Sequence, residues 1–165
     1  MKKYKKTFPI LLTNPKFLII GGGNVALQKA KTLKANNIKF KIISPIIKDE
    51  IYEYCKNIKK KKFKLKHIKD YNFIVNASGN DKITKKLLKY KKKNNILLNI
   101  VNNQNLCDFY FMALTTNKNL QIAVTSNGFS PKEAIKYKNK CEKLIPKNIN
   151  NKLVKLSKIR KSNIK

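Results

Sequence analysis

The 165-residue sequence predicts an α/β fold built on a mostly parallel sheet. Two observations carry that prediction. Short apolar runs and helix-period stretches alternate from residue 17 to residue 101, the order required by parallel strands joined through helical crossovers. The first run also ends in three consecutive glycines, Gly21-Gly22-Gly23, immediately before a helical pattern begins.

Taken in order, Phe17 to Ile20 is the first strand, and Val25, Ala26, Ala30 and Leu33 recur at helical spacing until Asn36-Asn37 interrupts them. Phe40 to Ile43, closed by Ser44-Pro45, predicts the second strand. Ile47, Ile51, Tyr54, Cys55 and Ile58 then fall on one face of a second predicted helix. The lysine run Lys59 to Lys62 leads into a weak strand signal at Phe63 to His67. A stronger strand, Phe73 to Ala77, opens onto Ser78-Gly79-Asn80-Asp81. Asp81 is expected to cap the helix carrying Ile83, Leu87 and Leu88, and Ile96 to Val101 predicts a further strand. The whole reads as a Rossmann-type unit with helices on both faces of the sheet.

The rhythm changes after residue 108. Phe109 to Leu114 and Leu120 to Thr125 predict a small antiparallel pair. Ser130-Pro131-Lys132-Glu133 is the strongest helix start in the chain: a cap, proline at the first helical position, and a glutamate set to bond back in a capping box. That helix is expected to run to Pro146. Leu153, Leu156 and Ile159 keep a helical rhythm among lysines, the mark of a short helical tail that is marginal or frayed.

Lysine and arginine total 39 against eight acids, a formal charge of +31. Such a field attracts polyanions. Yet only Arg160 is arginine, and the lysines scatter through every segment beside abundant Asn and Ile. A nucleic-acid reader draws on arginine's planar fork and on interleaved aromatics, so the excess reads as AT-biased codon usage on solvated faces and argues against a specific nucleic-acid partner. No apolar run approaches the roughly 18 residues of a membrane span, and Pro9 and Pro15 break the N-terminal run. A membrane span and a signal peptide are therefore not expected. Cys55, Cys107 and Cys141 are odd in number and lack CxxC spacing, which points to reduced thiols in a cytoplasmic protein and to no metal site.

Gly21-Gly22-Gly23-Asn24-Val25-Ala26 fits the dinucleotide fingerprint G-x-G-x-x-A, between strand and helix where that fingerprint belongs. Gly21 permits the tight turn, Gly23 lets the backbone approach a pyrophosphate, and Ala26 lets the helix pack closely. Asn24 and Val25 open a helix whose unpaired N–H groups and dipole receive phosphate. The acid that usually holds the adenine ribose is absent; Ser44 stands there, with Lys48 nearby, and the sequence leaves NAD and NADP undecided. Ser78-Gly79-Asn80 and Asn99 to Asn103 lie at the carboxyl edge of the sheet and are expected to line the site.

These segments resemble the precorrin-2 dehydrogenase/sirohydrochlorin ferrochelatase family, the dehydrogenase module of siroheme synthase. The resemblance rests on Phe8-Pro9-Ile10, residues 17–30, residues 73–81, Asn99-Ile100-Val101-Asn102, Leu106-Cys107-Asp108-Phe109-Tyr110-Phe111 and residues 123–131. It implies NAD-dependent removal of two hydrogens from precorrin-2, giving sirohydrochlorin, in a homodimer. It also implies a dinucleotide-binding domain over residues 1–108, a dimerisation region over 109–146 and a shortened helical tail over 147–165, with no methyltransferase module attached. A lysine-rich cleft suits a substrate bearing eight carboxylates.

One departure matters. The family commonly carries aspartate where this chain has Asn102, a residue given a part in both dehydrogenation and iron insertion. An amide cannot take up a proton near neutral pH, so dehydrogenation is expected with weak or absent chelation. Asp108 is the substitute base to consider, or else a loop carboxylate paired with lysine. Ser126 matches a family serine near the tetrapyrrole, or serves the turn at Asn127-Gly128. His67, the only histidine, reads as structural. The alternative function is a non-catalytic dinucleotide-binding sensor or partner subunit.

Overall fold

The computed structural model describes Thr7, residues 10–115 and residues 119–162; Phe8-Pro9 of the family resemblance lies outside them. The described residues form two compact units, one spanning Ile10–Tyr110 and the other comprising Thr7 and the described residues from 111 onward.

In the first unit, β1 (Phe17–Ile20), β2 (Phe40–Ile43), β3 (Ile58–Lys59), β4 (Phe73–Asn76) and β5 (Leu97–Ile100) make one parallel sheet ordered β3-β2-β1-β4-β5. β1 is central and buried on both faces, which is why all four of its residues are apolar. In register, Ile20 lies between Ile43 and Asn76, and Asn76 pairs with Ile100. Leu18, Ile20, Ile43, Ile74, Leu98 and Ile100 share one face and form a core with Leu87 of helix α2 (Asp81–Lys91). By strand alternation, Ile19, Ile42 and Val75 point to the other face, where Ala26, Ala30 and Leu33 of α1 (Asn24–Ala35) are buried. The carboxyl ends of β1, β4 and β5 thus meet the turns that open both helices.

Three local expectations are corrected. The helix foreseen over Ile47 to Ile58 is only a 3₁₀ turn, Asp49–Glu53. The chain must already pair with β2 at Ile58, and Ile42 N–H reaches Asn57 O at 3.0 Å. Ile47, Ile51 and Cys55 satisfy their spacing by burial without a continuous helix. The strand foreseen at Phe63 to His67 is instead a 3₁₀ turn at Leu65–His67, and the edge strand falls one segment earlier, in two residues too few to show alternation. Asn80, not Asp81, caps α2: its Oδ1 accepts from Lys82 N–H at 2.9 Å and Ile83 N–H at 3.3 Å. Asp81 occupies the first helical position, where its charge complements the dipole.

In the second unit, β6 (Ala113–Leu114) and β7 (Ala123–Val124) pair antiparallel, shorter than expected, and α3 (Pro131–Leu144) packs on both. Ser130 Oγ caps α3 by accepting from Glu133 N–H at 3.2 Å. The Glu133 carboxylate lies 3.5 Å from Lys136 Nζ. The C-terminal rhythm forms a regular helix, α4 (Ile149–Ser162). Phe109, foreseen in the first strand of this pair, stays with the first unit, its ring edge-on to Phe73 at 5.5 Å and to Phe17 at 6.0 Å.

Candidate functional site

The glycine turn is shaped by backbone on two sides and open on the third. Gly21 adopts φ +117°, and a Cβ there would lie 2.4 Å from Ala77 O. A Cβ on Gly22 would lie 2.2 Å from Ile46 O. Both positions therefore require glycine, the first for conformation and contact, the second for contact alone. Gly23 is the opposite: φ is −93°, and a Cβ would meet nothing within 4 Å. It is the N-cap of α1, makes no side-chain cap bond, and the first turn holds no acid. The amide end of α1 at Asn24 and Val25 thus faces open space as a cationic dipole end, which fits a diphosphate. Ala26 is wholly buried, so the helix approaches the sheet closely.

Two neighbouring loops complete this edge. After β4, buried Asn76 organises the turn: its Nδ2 donates to Thr84 Oγ1 at 2.9 Å, and its Oδ1 accepts from Ser78 Oγ at 2.6 Å and Ser78 N–H at 3.2 Å. Asn80 N–H donates to Ser78 Oγ at 3.2 Å, and Gly79 takes φ +64°. Ser78-Gly79-Asn80 is thereby held rigid beside Gly21. After β2, Ser44 is nearly buried, and Lys48 N–H donates to Gly22 O at 2.9 Å. Lys48 Nζ lies 3.0 Å from Asn24 Oδ1 and 3.0 Å from Glu50 Oε1. On α1, burial lowers the Lys29 ammonium against a smaller opposing pull from Cys107 after β5.

Asn102 sits exposed in the turn directly after β5. Asp108, six residues on, is fastened to the sheet. Its Oδ2 accepts from Leu98 N–H at 2.8 Å, its Oδ1 pairs with Lys91 Nζ, and its own N–H donates to Leu98 O at 2.8 Å. That geometry favours the paired-carboxylate reading over a free base. Ser126 belongs to the second unit, where its Oγ accepts from Ser130 N–H at 2.9 Å. His67 Nδ1 accepts from Lys64 N–H at 3.0 Å. Burial, then Lys59, Lys66, Lys41 and Lys61, hold its pKa below the ordinary value. Among the described residues, no three His, Cys, Asp or Glu side chains gather to hold a metal, and no helix is long and apolar enough to cross a membrane.

Sequence reasoning missed the demands on Gly22 and Asn76. The signals were a third glycine at a position the fingerprint leaves open, and an amide ending an apolar strand.

The family model described as "Putative NAD(P)-binding" matches residues 9–113. The chain belongs to that NAD(P)-binding family. The siroheme synthase of Psychrobacter cryohalolentis is 31% identical to this NAD(P)-binding chain over 157 residues, covering 92% of the chain and 30% of the relative. That of Pseudoalteromonas translucida is 27% identical over 142 residues, covering 84% and 30%. The chain thus spans about a third of the length of these curated relatives. A solved structure described as SirC, precorrin-2 dehydrogenase, shares the fold with a TM-score of 0.67 at 20% identity, covering 88% of this chain and 74% of that one.

Proposed function

We propose that this NAD(P)-binding module is a precorrin-2 dehydrogenase, oxidising precorrin-2 to sirohydrochlorin with NAD as hydride acceptor. The carrying observation is the open amide end at Gly23, set in a chain whose relatives are siroheme synthases. A bound nicotinamide ring supplies the hydride acceptor. Gly23, Asn24 and Val25 hold the diphosphate through main-chain N–H groups; Gly21, whose own N–H is given to Ile43 O at 3.0 Å, shapes the turn beneath it, and the rigid Ser78-Gly79-Asn80 turn and Ser44 bound the remainder of the dinucleotide. Asn102, exposed beyond β5, orients the substrate by hydrogen bonds, and its solvent exposure lets the released proton pass to water. Ser126, whose Oγ accepts from Ser130 N–H, retains its own proton to donate to a substrate carboxylate.

Iron insertion requires stripping pyrrole protons. Asn102 offers no base and Asp108 is engaged on both oxygens, so we expect chelation to be weak or absent. The second unit exposes Phe129, Ile135, Tyr137 and Leu144, which suits self-association into a homodimer. The three cysteines are unbridged, in keeping with a cytoplasmic setting.

Anaerobic incubation with precorrin-2 and NAD is expected to yield NADH and sirohydrochlorin in equal amounts. Tight dinucleotide binding without turnover would favour the sensor or partner-subunit reading instead. Asn102→Asp is expected to raise iron insertion while leaving dinucleotide affinity unchanged.

A further inference from the structure

We infer that the same site admits NADP alongside NAD, with the Lys48 ammonium receiving the 2′-phosphate of the adenine ribose. This rests on the dinucleotide reading above. In a Rossmann unit a carboxylate at the end of β2 takes the ribose 2′-hydroxyl, and the same charge repels a 2′-phosphate. Residues 38–48 contain no acid. The end of β2 is Ser44, 8% exposed, its N–H given to Lys59 O at 3.2 Å. Nothing at that position discriminates against added negative charge.

A cation is held there by the backbone. The loop after β2 folds onto the glycine turn, with Ile46 O against Gly22 and Lys48 N–H on Gly22 O at 2.9 Å. Lys48 therefore cannot move away from this edge without breaking the turn itself. Its side chain stays 40% exposed, with Nζ 3.0 Å from both Asn24 Oδ1 and Glu50 Oε1. Glu50 competes for that ammonium, and Asp49 adjoins Lys48 in the chain. The backbone of Glu50 first, then the hydrogen bond and charge of Lys48 and, least, the charge of Lys31 keep its carboxyl below the usual range, so the backbone contact remains to Glu50 if Lys48 turns to a phosphate. A phosphate dianion carries more charge than a carboxylate and attracts the ammonium more strongly. On the neighbouring strand, Lys59 stands beside Ser44. Burial first, then Lys61, Lys41 and Lys66, push its pKa below the ordinary value.

Calorimetric titration of the intact chain with NAD and with NADP, at low salt, tests the assignment. NADP is expected to bind at least as tightly as NAD. Lys48→Gln is expected to weaken NADP about tenfold, the scale of one hydrogen bond to a charged group, and NAD by less than about twofold. Lys48→Arg should restore NADP binding, and Glu50→Gln should tighten it by freeing Lys48. NAD binding tenfold tighter than NADP, or Lys48→Gln weakening both alike, overturns the inference while leaving the dinucleotide reading intact. Failure of both nucleotides to bind overturns that reading as well.

Discussion

The turn after β1 and the loop after β5 lie on the same edge of one sheet, yet they are built in opposite ways. The first is made almost entirely of main chain: Gly21 against Ala77 O, Gly22 against Ile46 O, and helix amides at Gly23 facing outward. The second depends on side chains. Asp108 ties it to Leu98 and Lys91, Cys107 Sγ accepts from Ile100 N–H at 3.1 Å, and Asn102 stands exposed at its tip. Binding a dinucleotide through backbone needs only that a few positions lack a Cβ. Chemistry on the substrate needs particular functional groups, and in the proposed dehydrogenase the exposed amide of Asn102 is the group that this loop offers.

That contrast gives a ranked set of outcomes. Gly21→Ala should be the most damaging change, because φ +117° and a 2.4 Å approach to Ala77 O leave no room for adjustment. Strain of this kind costs about 1–3 kcal/mol before the clash is counted, so thermal denaturation should shift down by several degrees and dinucleotide binding should disappear. Survival of both would show that the turn is not main-chain-determined. Asp108→Asn should cost about 1–2 kcal/mol by weakening its pairing with Lys91, read from urea denaturation, with NAD affinity unchanged. A loss of turnover far beyond that of stability would instead make Asp108 the proton acceptor. Ser130→Ala should cost about 1 kcal/mol through the lost cap on α3.

The smallest effect concerns pH. His67 is held below its ordinary pKa of 6.5, so the unfolded chain binds the proton more readily. Stability should therefore fall as pH drops below about 6.5, and His67→Gln, whose amide oxygen can still accept from Lys64 N–H, should flatten that slope in denaturant melts.

Much of this architecture is legible in the sequence because the strongest signals are local. Four apolar residues at Phe17 to Ile20 followed by three glycines leave few foldings open, and Ser130-Pro131 marks a helix start by itself. The edge of the sheet was not legible for an equally physical reason. Ile58 fits the helical spacing of Ile47, Ile51 and Cys55, but its place is set by long-range pairing with Ile42. Tertiary contact decided that segment, as it decided Phe109, whose ring is claimed by Phe17 and Phe73. At the site, the fingerprint names Gly21 and Gly23. The brace between Lys48 and Gly22 spans residues far apart in the chain, and no spacing rule exposes it.

The central claim is that the amide end of α1 at Gly23 receives a diphosphate, and Gly23→Asp tests it most directly. Gly23 has an extended backbone that any residue adopts and open space for a side chain. Aspartate is a favoured N-cap and complements the helix dipole. Thermal denaturation and NAD titration of the two proteins side by side should therefore show Gly23→Asp as stable as the wild type or more so, with NAD binding saturable in the wild type and lost in the variant. Equal NAD affinity in both proteins, or none in the wild type, would contradict the account.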